Sequence, residues 1–282
     1  MKHVLPLAFI FLFIACSEKE LPEESIAVEQ EPESAPVPPE LAEASGMADS
    51  KAHPGHLWVH EDSGNGSELY LLTHAGELSR TVYLKGVANR DWEDIALSGD
   101  ELYLADIGDN LNAHPTCTIY KFTEPDAATN VVTDIQQITY KYPDGAHDAE
   151  ALLVDPATKD IYIITKRDQP SEIYRLTYPY SLTKTNTAEL VGTLPYNGVV
   201  SAAISADGKG IIVKTYANIF YYNRSGKEPI SKVLQKKLTT LPYKIEPQGE
   251  AVTFSAEKKG YFTLSEKAFK DEANLYLYKL NK

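Results

Sequence analysis

Residues 90–110 read RDWEDIALSGDELYLADIGDN. Two short apolar runs flank Ser98-Gly99-Asp100, a turn-forming triplet, so the stretch is expected to fold as an antiparallel hairpin. The return of the chain then brings Glu93 and Asp94 to the same edge as Asp106 and Asp109. Four carboxylates would crowd one small region, which is unfavourable unless something compensates the charge. The fold depends on whether this hairpin stands alone or recurs.

It recurs. Leu69-Tyr70, Ile119-Tyr120, Ile173-Tyr174, Ile219-Phe220 and Leu275-Tyr276 each sit inside an alternating run, with gaps of 50, 54, 46 and 56 residues. Each pair follows a second apolar run, at 56–60, 101–105, 160–165, 210–213 and 260–264. That run in turn follows a strand of small residues beginning at Ser45, Glu93, Glu150, Ser201 or Glu250. A weaker fourth strand is read at 79–84, 133–142 and 188–194. Four antiparallel strands per repeat of about fifty residues define the blade of a β-propeller. The expected fold is therefore all-β, with five blades; six would need one degenerate blade and repeats of roughly 40 residues. The last repeat ends after its third strand, so its fourth is expected from the segment before Ser45, closing the ring with both ends of the chain.

The motifs SGMADS, LWVHEDSGN, DWEDIA, LYLADIGDN, DAEALLVDP and IYIITKRD resemble a widespread group of bacterial lipoprotein propellers over nearly all of residues 41–282. More distantly, the Glu-Ala first strands are similar to those of β-propeller phytases and of gluconolactonase- and paraoxonase-like propellers. Those motifs carry the fold more firmly than any chemistry.

The starts of first strands and the ends of second strands share one face of a propeller. That face is expected to collect Ser45, Glu93, Glu150, Ser201 and Glu250 with Asp62, Asn65, Asp106, Asp109, Asn110, Lys166, Arg167, Lys214, Glu266 and Lys267. Convergent carboxylates and amides suit a hard cation such as calcium, which takes six to eight oxygen ligands. The likeness to lactonase-like propellers implies Glu93, Glu150 and Glu250 as the metal ligands. Lys166, Arg167, Lys214 and Lys267 would then hold a small anionic ligand, as phytase-like sites pair calcium with basic residues. His147, close before Glu150, is a candidate general base, and the pair His147 and Glu150 would be the catalytic residues. The competing reading is structural: acidic strand starts that pair with Lys and Arg of neighbouring blades and plug the axis. The glycines of the loops 62–66 and 106–110 read as turn formers. Trp92 reads as buried between blades. No serine elbow, phosphate loop, Cys-x-x-Cys or dinucleotide fingerprint is present.

The ends of the chain bear on location. Residues 1–15 read as a secretory signal: Lys2, then eleven apolar-run residues at 4–14, too few to span a bilayer. Phe13-Ile14-Ala15-Cys16 resembles a bacterial lipobox, which implies lipid attachment at Cys16; Ser17 in place of Asp implies the outer membrane. Residues 17–40 hold eight Glu, five Pro, one Lys and no aromatic residue, the composition of an acidic tether. The formal charge of −13 argues against a nucleic-acid partner. The chain is expected to act as a monomer.

Overall fold

The structure, a computed structural model, describes residues 31–257, 259–267 and 273–280. Five antiparallel sheets of at least four strands form a ring. Blade 1 runs Ala44–Asp49, His56–Glu61, Glu68–Thr73 and Leu78–Leu84. Blade 2 runs Trp92–Ser98, Glu101–Asp106, Cys117–Thr123 and Gln136–Lys141. Blade 3 runs Ala149–Val154, Ile161–Thr165, Glu172–Leu176 and Glu189–Thr193. Blade 4 runs Val199–Ile204, Gly210–Thr215, Ile219–Asn223 and Thr239–Leu241. Blade 5 runs Gly249–Ser255, Gly260–Ser265 and Asn274–Lys279.

The missing fourth strand of blade 5 is Glu33–Pro36, which pairs antiparallel with Asn274–Lys279. The expected closure by both ends of the chain is therefore present. The acidic tether, drawn from 17 to 40, is correspondingly too long. Its composition is poor in apolar residues, but a strand needs only a backbone partner, and Pro36 is tolerated because the strand lies at a sheet edge. Cys16 and the signal lie outside the described residues.

The first strands of consecutive blades touch one another around the axis. Apolar side chains fill the wedges between blades in five clusters, one per interface; blades 2 and 3, for example, share Ile119, Tyr140, Leu152 and Ile163. Trp92 lies fully buried between blades 1 and 2, edge-on to Tyr120. Polar ties reinforce the wedges. Arg224 of blade 4 makes a two-pronged ion pair, at 3.0 and 2.7 Å, with Asp155 of blade 3. Glu124 of blade 2 accepts the Ser50 hydroxyl and the Trp58 indole of blade 1.

One irregularity repeats in every blade. The register between first and second strands slips by one residue near the start of the first strand, a β-bulge that leaves Ser45, Glu93, Glu150, Val200 and Glu250 without a cross-strand partner. Ser201, grouped above with the three glutamates, belongs one position later, with Gly46, Asp94, Ala151 and Ala251. The apolar spacing of blade 4 gives no sign of this slip, because Val200 and Ser201 are both compatible with a strand.

Candidate cation site at the channel mouth

The bulge turns Glu93, Glu150 and Glu250 out of the ladder and toward the mouth of the central channel. All three are buried. Carboxylate oxygens of Glu93, Asp148 and Glu150 lie within 4.8 Å of one another, as do those of Asp62, Asp91 and Glu93. Glu93 belongs to both groups. Room for this approach comes from Gly108, whose Cα faces the Glu93 and Asp91 carboxylates so closely that a Cβ would overlap them. Gly108 is thus required by proximity, whereas Gly64 in the similar loop of blade 1 is a true turn glycine with φ of +85°.

Basic groups answer only part of this charge. The Lys166 ammonium lies against Glu150 Oε1, 3.7 Å from Glu250 Oε1 and 3.1 Å from the Tyr216 hydroxyl. Tyr216 donates in turn to Glu250 Oε1. Arg167 donates from Nε to Asp148 Oδ2 at 2.6 Å and also reaches Asn110. Glu150 Oε2, by contrast, is buried with no hydrogen-bond partner.

The protonation equilibria follow. Burial, and then the charges of Glu150, Asp62, Asp91 and Glu250, push the Glu93 carboxyl well above its ordinary value. Burial raises Glu150 in the same way, against the pull of Lys166. Asp62 is lifted to about 6, chiefly by burial, and Glu266 to about 8 by burial and by Glu250. Burial disfavours the Lys166 ammonium, but Glu150 and Glu250 outweigh it and raise its pKa.

Several expected members lie elsewhere. Asp109 accepts the backbone N–H of Ala113 and His114 and so caps its own loop. Asp106 accepts the Asp91 N–H and the Tyr120 hydroxyl inside blade 2. Asn65 donates to Glu43 and to the Asp62 carbonyl. Lys214 is fully buried, and its ammonium donates to the carbonyl of Gly249, next to Glu250, and to the Tyr243 hydroxyl at 2.9 Å. Burial lowers its pKa to about 8, against the attraction of Glu246 and Glu250. Lys267 is exposed and bonds Ala42 only through its backbone. His147 contacts Asp168 at 3.0 Å, Asp144 at 3.2 Å and the Tyr174 hydroxyl at 3.0 Å, none of them part of the ring. The pairing of His147 with Glu150 as catalytic residues is not assembled.

Asp94, set beside Glu93 in the opening stretch, takes a different place: the axis itself. Fully buried, it accepts the N–H of Leu152 at 2.9 Å from blade 3, the N–H of Ala202 at 3.3 Å from blade 4 and the Ser201 hydroxyl at 3.2 Å. Burial pushes it up to about 8 even against these donors. Asp94 thus ties three blades together at the axis through backbone and hydroxyl donors, not through the Lys and Arg pairing expected of the strand starts. Asp91, Asp148 and Tyr216 complete the mouth and were not anticipated. A signal for two of them exists: Asp91-Trp92-Glu93 and Asp148-Ala149-Glu150 repeat the pattern Asp-x-Glu at equivalent bulges.

Fold and site together define a five-bladed β-propeller with an acid-lined channel mouth. No family model matches the chain, and no curated protein does. Among solved structures the chain is similar to an auxiliary nutrient binding protein from Bacteroides thetaiotaomicron, at 10% identity and a TM-score of 0.50, over 89% of this chain and 73% of that one. It is also similar to the hydrazine synthase of Kuenenia stuttgartiensis, at 12% identity and a TM-score of 0.43, over 82% and 70% of the two chains. At 10% identity the likeness to the nutrient binding protein is one of fold.

Proposed function

We propose that this protein is a ligand-binding propeller whose channel mouth takes a divalent cation, calcium by its donor chemistry. The observation that carries the reading is Glu150 Oε2, buried and without a hydrogen-bond partner among the described residues, on a carboxylate that lies within 4.8 Å of those of Glu93 and Asp148. Buried carboxylates this close cannot all ionise alone: protons or a cation must neutralise them. An all-oxygen set of carboxylates favours calcium over softer metals. Glu93 and Glu150 would be direct ligands, with Asp148, Asp91 and Asp62 in reach. Glu250, held by Tyr216 and Lys166, would tune the site from its edge. The neighbour described as a nutrient binding protein fits binding as the role.

Hydrolysis of a phosphate ester or lactone is less well supported. It needs Lys166, Lys214 and Lys267 to hold an anionic substrate together, and these side chains lie on Glu150, buried against the Gly249 carbonyl and in solvent respectively. A third reading, an interaction scaffold, has no specific observation in its favour. For location, we propose that Cys16 carries a lipid that tethers the propeller to the outer membrane, supported by Phe13-Ile14-Ala15-Cys16 and the acidic residues that follow. Labelling with a fatty-acid alkyne that persists in a Cys16→Ser variant would remove that reading.

Calorimetric titration of calcium tests the site. Saturable binding is expected in the unmodified protein and a loss of at least tenfold in affinity in Glu93→Gln and in Glu150→Gln. Both variants should fold normally, since each replaces a strained carboxylate by a neutral isostere. Absence of calcium binding by the unmodified protein would leave the cluster neutralised by protons, Lys166 and Arg167.

A further inference from the structure

We propose that the opposite end of the channel, away from the acidic mouth, binds a small amphipathic molecule with an apolar body and an anionic head. A cavity of about 700 Å³ opens there, lined by the later halves of the first strands and the hairpin turns that follow them. Its volume lies within the range of roughly 300–1,000 Å³ typical of small-molecule sites. The sequence explains why the space exists. Two residues beyond the ring of Gly46, Asp94, Ala151, Ser201 and Ala251, the five first strands carry Ala48, Ala96, Leu153, Ala203 and Thr253, all of which line the cavity. Three alanines at equivalent positions leave unfilled the volume that larger side chains would occupy. Asp94, reaching across from blade 2 to blades 3 and 4, stands between this well and the mouth.

The well is apolar where it could have been polar. Leu97, Ile204, Phe254 and Tyr221 face it while remaining only partly buried, apolar surface that the fold leaves in contact with water. Burying that surface against a ligand is favourable at about 25 cal/mol per Å². The rim selects the head group. Asp49 is engaged by His74 Nε2 and by the Ala256 N–H, both at 2.7 Å. Asp207 accepts the Ser205 hydroxyl at 2.7 Å and faces the Lys209 ammonium at 3.4 Å. Lys259 has no carboxylate partner among the described residues, so the rim offers one cation to an incoming anion.

Displacement of the fluorescent probe anilinonaphthalene sulfonate by decanoate tests the proposal, with a chelator present throughout so that a cation at the mouth contributes nothing. Decanoate is expected to displace the probe, and decyltrimethylammonium to do so at least tenfold more weakly. Ala203→Trp, which fills the well from blade 4, should lower decanoate affinity at least tenfold at an unchanged thermal midpoint, and Lys259→Gln should lower it several-fold. Should Ala203→Trp fold poorly, Ala96→Phe fills the same space from blade 2. Unchanged decanoate binding in a folded, well-filled variant, or equal binding of the cationic amphiphile, overturns the proposal.

Discussion

Glu93, Asp94, Asp106 and Asp109 share one hairpin and meet four fates, which shows what a single residue's position decides. Glu93 leaves the ladder through the bulge, Asp94 points to the axis, Asp106 binds within its own blade and Asp109 caps a loop. Their proximity was legible from the hairpin alone. Their directions were not, because they depend on backbone donors supplied by residues 58 and 108 positions away for Asp94, and 4 and 5 away for Asp109. Asp94 makes the sharpest prediction at this scale. Asp94→Ala would strand the N–H groups of Leu152 and Ala202 and the Ser201 hydroxyl at the buried axis, at about 1–3 kcal/mol each, so a loss on the order of 3–5 kcal/mol is expected. Asp94→Asn keeps one acceptor and should lose less. Urea unfolding followed by tryptophan fluorescence measures both; an alanine variant within about 1 kcal/mol of the parent would mean that water, not Asp94, satisfies the axis.

At the scale of the strand, the bulge is the device that makes the mouth. Small residues ahead of each second apolar run, at a repeat of about fifty residues, located all five first strands. A bulge leaves the composition unchanged while moving every earlier residue by one position, so Val200 and Ser201 could be distinguished only by their partners. The clustering also sets a pH dependence. Glu93, Glu150, Glu266 and Asp94 have pKa values raised in the folded chain above those of the unfolded chain. The folded state therefore holds more protons, and the associated stability is complete below the ordinary carboxylate range and lost as pH rises through the raised values. His60, lowered to about 4 by burial, acts oppositely only below its ordinary value of 6.5, and Lys214, lowered to about 8, only above that pH. Between pH 6.5 and 8, in chelator, the thermal midpoint should fall with rising pH. Saturating calcium should flatten that slope, because a bound cation replaces the protons; a midpoint that rises over this window would contradict the burial of these groups.

At the scale of the whole molecule, a propeller is a closed ring of wedges, and its integrity depends on the one blade assembled from two distant parts of the chain and on its seam with the next blade. Here that closure is made twice. Glu33–Pro36 supplies the outer strand of blade 5, in register from Glu33 opposite Leu277 to Pro36 opposite Asn274, and the Val37 N–H extends the pairing to the Ala273 carbonyl at 3.1 Å. Leu41 then turns inward, 1% exposed, to pack with Phe262, Leu275 and Leu277 before the chain enters blade 1. The repeat count revealed that a strand was missing, and topology left only the preceding segment to supply it. The composition of that segment, acidic and proline-rich, pointed the other way and set the domain boundary too late. Removing residues up to 40 should leave the edge of Asn274–Lys279 unpaired and bare the apolar face of Leu275 and Leu277. At about 0.5–1.5 kcal/mol for each strand hydrogen bond lost, the expected destabilisation is on the order of 2–4 kcal/mol. Because the ring unfolds as one cooperative body only while every wedge is seated, the truncated protein should also show early hydrogen exchange confined to blade 5. A truncated protein with an unchanged urea midpoint and unchanged protection in Asn274–Lys279 would mean that the three strands of blade 5 close the ring unaided.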